Sequence, residues 1–423
     1  MNVVTGIREV RHAWAWLAAI ALLATVPYWR SLSLPPIEDD YIQVWLGRIY
    51  GAPDQWAALL ADPLYRCRAT SIVLTRLADD YFGNSPWAYD FQSLFFHGVN
   101  AILVALLGGW KVIGYRLSIA AAFFWGLSER LHEAVIWYAA LPEQLVFFFT
   151  LIAFLCWIEW WQEGSKKAYA GAMAAFVLAL LSKESAVVFC GLALLPLLAA
   201  WRRWREMLLP LAPFVVISAV YFALNVFAKS EHLHWNDGTF RLGWHFIPVI
   251  LNSSARIFWI WGGLALIVLA FARKQVNWVV VGIAAAWMLI TLLPYSFVGY
   301  MPRVPSRHVY FAMVGRALIL AMALMVVWHY RRVTAMLAIL FLIWNTAYVS
   351  VYKQGQFEAR ANVTEKLVEE ASKLKGAAFE VECFPHAPEL AEFALSQRLG
   401  VDLQKVKARR DGNCQAMTIR VVE

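Results

Sequence analysis

Three consecutive acids, Glu38, Asp39 and Asp40, stand in the stretch LPPIEDDYIQVW (34–45), just past the first apolar run of the chain. Pro35 and Pro36 end that run as a helix, because proline lacks the amide a helix interior needs. A carboxylate at such a point is either a solvated loop residue or a general base placed to take a proton from a hydroxyl. Asp39 is the first candidate for the base and Asp40 the second. Cations follow in the same loop. YRCRATS (65–71) carries Arg66 and Arg68, each suited to gripping a phosphate through paired N–H donors or to resting against lipid headgroups. LLSKESA (180–186) sets Lys183 beside Glu184, either an internal ion pair or a lysine offered to an anionic phosphate. MPRVPSRHVYF (301–311) adds Arg303, Arg307 and His308.

SERLHEAVIWY (128–138) places Glu129, His132 and Glu133 within about one helical turn. A metal site there lacks the second histidine of H-E-x-x-H. His132 and Glu133 read instead as groups that bind an acceptor or orient the base, with Glu184, Arg303 and His308 in the same supporting role. The second Asp-Asp-Tyr triplet, in ADDYFGNSPW (78–87), reads as structural. Asp79 and Asp80 fall on the polar side of an interfacial helix, and Gly83 and Pro86 belong to the turn after it.

These loops need a membrane scaffold to gather them. Of 423 residues, 61% are hydrophobic and 16% charged, and the mean hydropathy is +0.56, the composition of a polytopic membrane protein. The net charge of +8 does not point to nucleic acid, since the basic residues recur as short clusters between apolar runs. Clear runs lie near 12–29, 91–110, 207–228, 255–272, 277–298, 309–328 and 333–352. Residues 117–161 would make one helix of roughly 66 Å, so they must break, at SERLHEA. Residues 168–200 break at SKES. The expectation is an all-α bundle of about 11 spans, the first an uncleaved one.

Every compact basic cluster then shares one side: Arg8 and Arg11, Lys111 and Arg116, Lys166 and Lys167, Arg202 to Arg205, Arg273 and Lys274, Arg331 and Arg332. The positive-inside rule puts the N-terminus in the cytoplasm and the candidate residues on the opposite face. Residues 1–352 form the membrane domain, with a long first outer loop (30–90) carrying interfacial helices. Residues 353–423 read as helix 354–375, strand 377–384, helix 387–399 and strand 416–422, a small extracytoplasmic α/β module. Whether Cys383 and Cys414 pair in it is open, because sequence does not give their separation.

The motifs also carry a resemblance. YFGNSPWAYDFQSLFFHGVNAILVALL, with Phe82, Gly83, Pro86, His97 and Asn100, resembles the second-span segment of the transmembrane and TPR-containing O-mannosyltransferases and their bacterial relatives. LHEAVIWYAALPEQLVFFF, LLSKESAV and RHVYFAMVGRALILA resemble that family's H-x-E-A-V, S-K-E and R-Y-x-Y segments in the same order. EDDY falls where the family has its first-loop acidic motif. The arginine segment reads YRCR where an Arg-Pro pair is expected, and no TPR array follows the membrane region. The resemblance, over roughly 35–200 and 290–325, implies a GT-C-like fold, a polyprenyl-phosphate sugar donor (undecaprenyl or dolichyl), an extracytoplasmic site and a first-loop aspartate as base.

On this reading the protein is a hexosyltransferase-like enzyme of a bacterial inner membrane. Asp39 or Asp40 deprotonates an acceptor hydroxyl on a glycan, lipid or protein, and the hydroxyl inverts the anomeric carbon. Arg66 or Arg68, Lys183 and Arg307 stabilise the departing phosphate. Fixed cations suffice for that, so neither nucleotide nor metal is required. Two other classes compete. A transporter or flippase of a lipid-linked sugar would set its ionisable residues nearer the bilayer midplane, on broken helices. A catalytically dead relative acting as a binding subunit would not need Asp39, Lys183 and Glu184.

Overall fold

The computed structural model describes residues 13–83, 85–228, 239–299, 301–374, 376, 378–409 and 417–421. Arg8, Arg11, Cys414 and residues 229–238 of the expected fourth outer loop lie outside the described residues.

Among the described residues, seven helices are long and apolar enough to cross a membrane: Trp14–Ser33, Pro86–Gly109, Tyr138–Glu163, Trp201–Leu224, Phe246–Phe271, Trp278–Phe297 and Arg331–Leu374. The other expected spans are shorter helices, Tyr115–Gly126, Lys166–Leu180, Glu184–Leu198 and Met313–Val326. Both long apolar regions break at their polar residues. After Gly126 the chain leaves the helix, the Ser128 hydroxyl accepts the Arg130 amide at 3.4 Å, and the span resumes with Pro142 in its first turn, where a missing N–H has no consequence. After Leu180 the chain extends at Lys183 (φ −168°, ψ 151°) before turning at Glu184–Val187.

Aromatic and satisfied polar groups hold the spans together. Trp125 stacks on Phe147 with centroids 5.0 Å apart, and its indole N–H donates to the Tyr310 carbonyl at 3.2 Å. His97 Nε2 lies 3.0 Å from the Gly126 carbonyl and Nδ1 2.8 Å from the Tyr310 hydroxyl. A carbonyl only accepts, so the proton sits on Nε2 and Tyr310 donates to Nδ1. Asn100 Nδ2 donates to the Gln144 carbonyl at 3.0 Å. Buried polar groups between spans must be satisfied within the protein in this way, since lipid offers them nothing.

The loops sort to two ends. At one, the Lys111 amide donates to Gln162 at 2.9 Å and the Arg203 guanidinium lies 4.0 Å over Trp161. At the other, the Thr70 amide donates to the Leu181 carbonyl at 3.2 Å, the Trp137 indole N–H to the Ile37 carbonyl at 3.1 Å, and Glu133 pairs with Arg307. This second end receives the first loop, whose helices are Asp40–Tyr50, Trp56–Ala61 and Ala69–Phe82. Asp79 there accepts two bonds from Arg48, at 2.8 and 2.9 Å, and one from Tyr89 at 3.0 Å. Gly83 ends the last of these helices at φ +61°, a backbone that only glycine enters without cost.

No linker separates bundle and tail. One helix runs Arg331–Leu374 through a π-turn at Tyr348–Lys353. The tail then forms a sheet in the order β2-β1-β3 from β1 (Phe379–Glu382), β2 (Val406–Arg409) and β3 (Thr418–Val421). β1 pairs parallel with β2 (Phe379 beside Val406) and antiparallel with β3 (Phe379 beside Val421). Helix Pro388–Leu399 makes the crossover from β1 to β2. Sequence reading missed β2, a polar four-residue strand. Cys383 is disulfide-bonded, whereas Cys67, Cys156 and Cys190 carry free thiols. The tail's core of Leu367, Val368, Phe379, Phe384 and Leu395 also takes in Tyr41 from the first loop.

Candidate active site

The acidic triplet is pinned on every residue but one. The Ile37 amide donates to Asp40 Oδ2 at 2.7 Å and the Ala139 amide to Asp40 Oδ1 at 2.7 Å. Asp40 is thereby buried, and burial pushes its carboxyl up to about 7 against those two N–H bonds. Glu38 accepts Arg360 Nε at 3.0 Å and Nη2 at 2.7 Å, a bidentate pair from the tail. Burial works against the Glu38 charge, yet Arg360 holds its carboxyl below the ordinary range. Among the described residues, the Asp39 carboxylate has no hydrogen-bond or ion-pair partner.

Asp39 is exposed, yet the protein around it pushes its carboxyl above the ordinary range, with Glu38 adding to the rise. Protein packed round the Asp39 backbone disfavours its charge although the side chain reaches the surface. Arg68, Arg307 and Arg360 face it and pull the other way. Arg307 pairs with Glu133, to which its own amide also donates at 3.2 Å, and that pair holds the Glu133 carboxyl down against burial. The Arg307 and Arg360 guanidinium groups both lie over Trp137, 5.0 and 4.9 Å from the ring centroid. Residues 137–139 therefore brace the first loop from below: Trp137 through Ile37 and two arginines, Ala139 through Asp40.

A second network adjoins it. The buried Glu143 carboxylate pairs with Lys183 and with His308 Nδ1, and accepts the Tyr295 hydroxyl at 2.8 Å. Tyr295 also lies 2.8 Å from Ser185 Oγ, which is then the donor to it, and stacks on His308 at 4.5 Å. Burial pushes the His308 imidazole down to about 4, so it is neutral at pH 7 and Nδ1–H donates to Glu143. Lys183 and His308 thus come together from distant segments, on an acid that sequence reading did not single out. The available signal was a carboxylate after proline inside an apolar span, where an ionisable group is costly.

The remaining sequence candidates part company. Arg68 is half-buried and its guanidinium, among the described residues, has no hydrogen-bond or ion-pair partner. Arg66 instead donates to the Leu224 carbonyl at 3.3 Å. His132 Nδ1 donates to the Glu129 carbonyl at 2.6 Å, which turns it away from Glu133's partner, and Glu129 pairs with Arg130 at 3.2 Å. Glu184 accepts the Cys67 thiol at 3.1 Å, and Arg303 is exposed. Among the described residues no three His, Cys, Asp or Glu side chains gather as metal ligands.

The chain is a helical bundle whose spans break at one end to bring charged loops together, with a small α/β module seated there. Among solved structures the chain is similar to ArnT from Cupriavidus metallidurans, crystallised bound to undecaprenyl phosphate: TM-score 0.55, 13% identity, 93% of this chain and 89% of that one. No protein-family model matches the sequence, and no curated protein does. At that identity the likeness speaks for the fold.

Proposed function

We propose that this protein transfers a sugar from a polyprenyl-phosphate donor to an acceptor hydroxyl, on a glycan, lipid or protein, at the extracytoplasmic face of a bacterial inner membrane. The observation that carries the reading is the exposed, unpartnered Asp39 carboxylate held between the fixed residues Glu38 and Asp40, with the charges of Arg68 and Arg307 acting on it. ArnT, similar in fold, was crystallised with undecaprenyl phosphate, which supports a donor of that class. The positive-inside rule supports a cytoplasmic N-terminus and an outward-facing site.

Asp39 removes the proton of the acceptor hydroxyl as its oxygen forms a bond to the anomeric carbon. The bond from that carbon to the phosphate oxygen breaks on the opposite side, which inverts the centre. Its electron pair leaves on the polyprenyl phosphate, whose second charge is met by Arg68, with Arg307 and Lys183 adding field. A carboxyl raised above its ordinary value is a stronger base than an ordinary aspartate. Asp40 serves the site by holding residues 37 and 139 together. Glu133, Glu184, His132, Arg303 and His308 act in support, by charge balance and acceptor contact.

Mass spectrometry of surface glycans and glycolipids from cells with and without the protein tests the reading. It expects one hexose-bearing species to disappear on deletion and to return with the wild-type chain. Unchanged glycans in the deletion strain, with normal levels of polyprenyl-linked sugar, would contradict it.

A further inference from the structure

Glu38 adopts φ +45°, the left-handed backbone that a side chain other than glycine enters at a cost. Such a residue persists only where its surroundings over-determine it, and it stands next to the unpartnered carboxylate. A local turn, closed by the Asp40 amide on the Ile37 carbonyl at 3.0 Å, allows that backbone, and the Glu38 side chain is held from the far end of the chain. Arg360, on helix Gln354–Leu374, grips both Glu38 oxygens, at 3.0 and 2.7 Å, and His386 Nδ1 approaches at 3.7 Å from the loop after β1. The tail is seated to do this. Trp45 packs on Phe393 at 5.0 Å, the Gln397 amide donates to the Tyr41 carbonyl, and Tyr41 lies in the tail's core.

Within residues 37–40, Ile37 is held at both its amide and its carbonyl, Glu38 by Arg360, and Asp40 by two amides. The Asp39 carbonyl accepts the Gln43 amide at 2.9 Å, and the Asp39 side chain is the one left free among the four. We propose that Arg360 is a positioning residue: through Glu38 it steadies the backbone that sets the direction of the Asp39 carboxylate, so the C-terminal module is a working part of the active site. This rests on the reading of Asp39 as base. The charged groups acting on Asp39 are Glu38, Asp40 and Arg68 from its own loop, Arg307 from the segment before helix Met313–Val326, and Arg360 from the tail.

Those groups give two substitutions the same geometric effect and opposite electrostatic ones. Arg360→Gln and Glu38→Gln both open the clamp, and each lowers kcat about 10- to 100-fold, the scale of a reacting group misplaced by about 1 Å. Arg360→Gln removes a cation and moves the acid limb of the pH profile upward. Glu38→Gln removes an anion and moves it downward. Arg360→Lys keeps one contact and recovers part of the rate.

The assay uses the full chain in nanodiscs, radiolabelled mannosyl-, glucosyl- and galactosyl-undecaprenyl phosphate as probes, and membranes lacking the protein as acceptor. Binding of undecaprenyl phosphate alone and thermal unfolding are measured beside it, and Asp39→Asn is run in parallel. Unchanged undecaprenyl phosphate affinity with lowered kcat in both clamp variants supports positioning. Weakened affinity in Arg360→Gln alone, with Glu38→Gln fully active, makes Arg360 a phosphate ligand and overturns it. Full activity in both clamp variants with a dead Asp39→Asn also overturns it while leaving Asp39 as base. An active Asp39→Asn overturns the base and the clamp together.

Discussion

Asp39 and Asp40 are adjacent in sequence and opposite in circumstance. The Asp40 carboxylate accepts two backbone amides at 2.7 Å each and is buried, while that of Asp39 is exposed. One ties the first loop to the segment after Trp137. The other has nothing in the protein to tie.

Asp40 is therefore predicted to matter for folding. Asp40→Ala leaves two amides without an acceptor, at about 1–3 kcal/mol for each. Thermal unfolding in detergent is expected to shift down, with activity falling in step with the folded fraction. A fully folded, inactive Asp40→Ala would move the base from Asp39 to Asp40.

Arg68 and Arg66 are predicted to separate. Arg68 is the arginine whose guanidinium faces Asp39, whereas Arg66 is engaged with the Leu224 carbonyl. Losing a hydrogen bond to a charged phosphate costs about 1.5–3 kcal/mol, or roughly 10- to 150-fold in affinity. Undecaprenyl phosphate binding is expected to weaken by that amount in Arg68→Gln and only slightly in Arg66→Gln. The reverse order would exchange their roles.

Glu143→Gln should destabilise the protein strongly, because it leaves Lys183 charged in a largely buried site. Breaking one side of a buried pair costs about 3–5 kcal/mol. Removing both charges, in Glu143→Gln with Lys183→Met, is expected to restore much of the unfolding temperature without restoring transfer. Restored transfer in the double variant would remove Lys183 from the site.

Acid should weaken the fold before it reaches the ordinary carboxylate range. Burial pushes the imidazoles of His132 and His308 from 6.5 down to about 4. Between those values an unfolded chain binds protons that the folded one refuses, so stability falls as pH falls through that window. Unfolding temperatures between pH 7 and pH 5 check this, and His132→Asn, which cannot take a charge, should flatten the slope. The raised Asp40 carboxyl works in the opposite sense over the same window, so the comparison is decisive: an identical slope in wild type and His132→Asn would contradict the burial of His132.

What could be read from the sequence follows from what is local. The breaks at SERLHEA and SKES were legible because charge interrupts an apolar run at those points, and the tail's helices because their periodicity is contained within them. The partners of the site residues were not. Glu133 meets Arg307 across 174 residues and Glu38 meets Arg360 across 322, and no local pattern encodes such pairs. Glu143 was hidden by its apolar neighbours, although a lone acid in a span is itself a signal. Which of two adjacent aspartates is free depends on the amides of Ile37 and Ala139, which sequence does not display.

The most direct test of the account is sugar transfer by purified wild-type and Asp39→Asn protein from the labelled undecaprenyl-phosphate hexoses, with product stereochemistry read by NMR. The account predicts an inverted product from wild type and a loss of about 100- to 10,000-fold in Asp39→Asn, with folding and undecaprenyl phosphate binding intact. Transfer by a folded Asp39→Asn protein at near wild-type rate would contradict it.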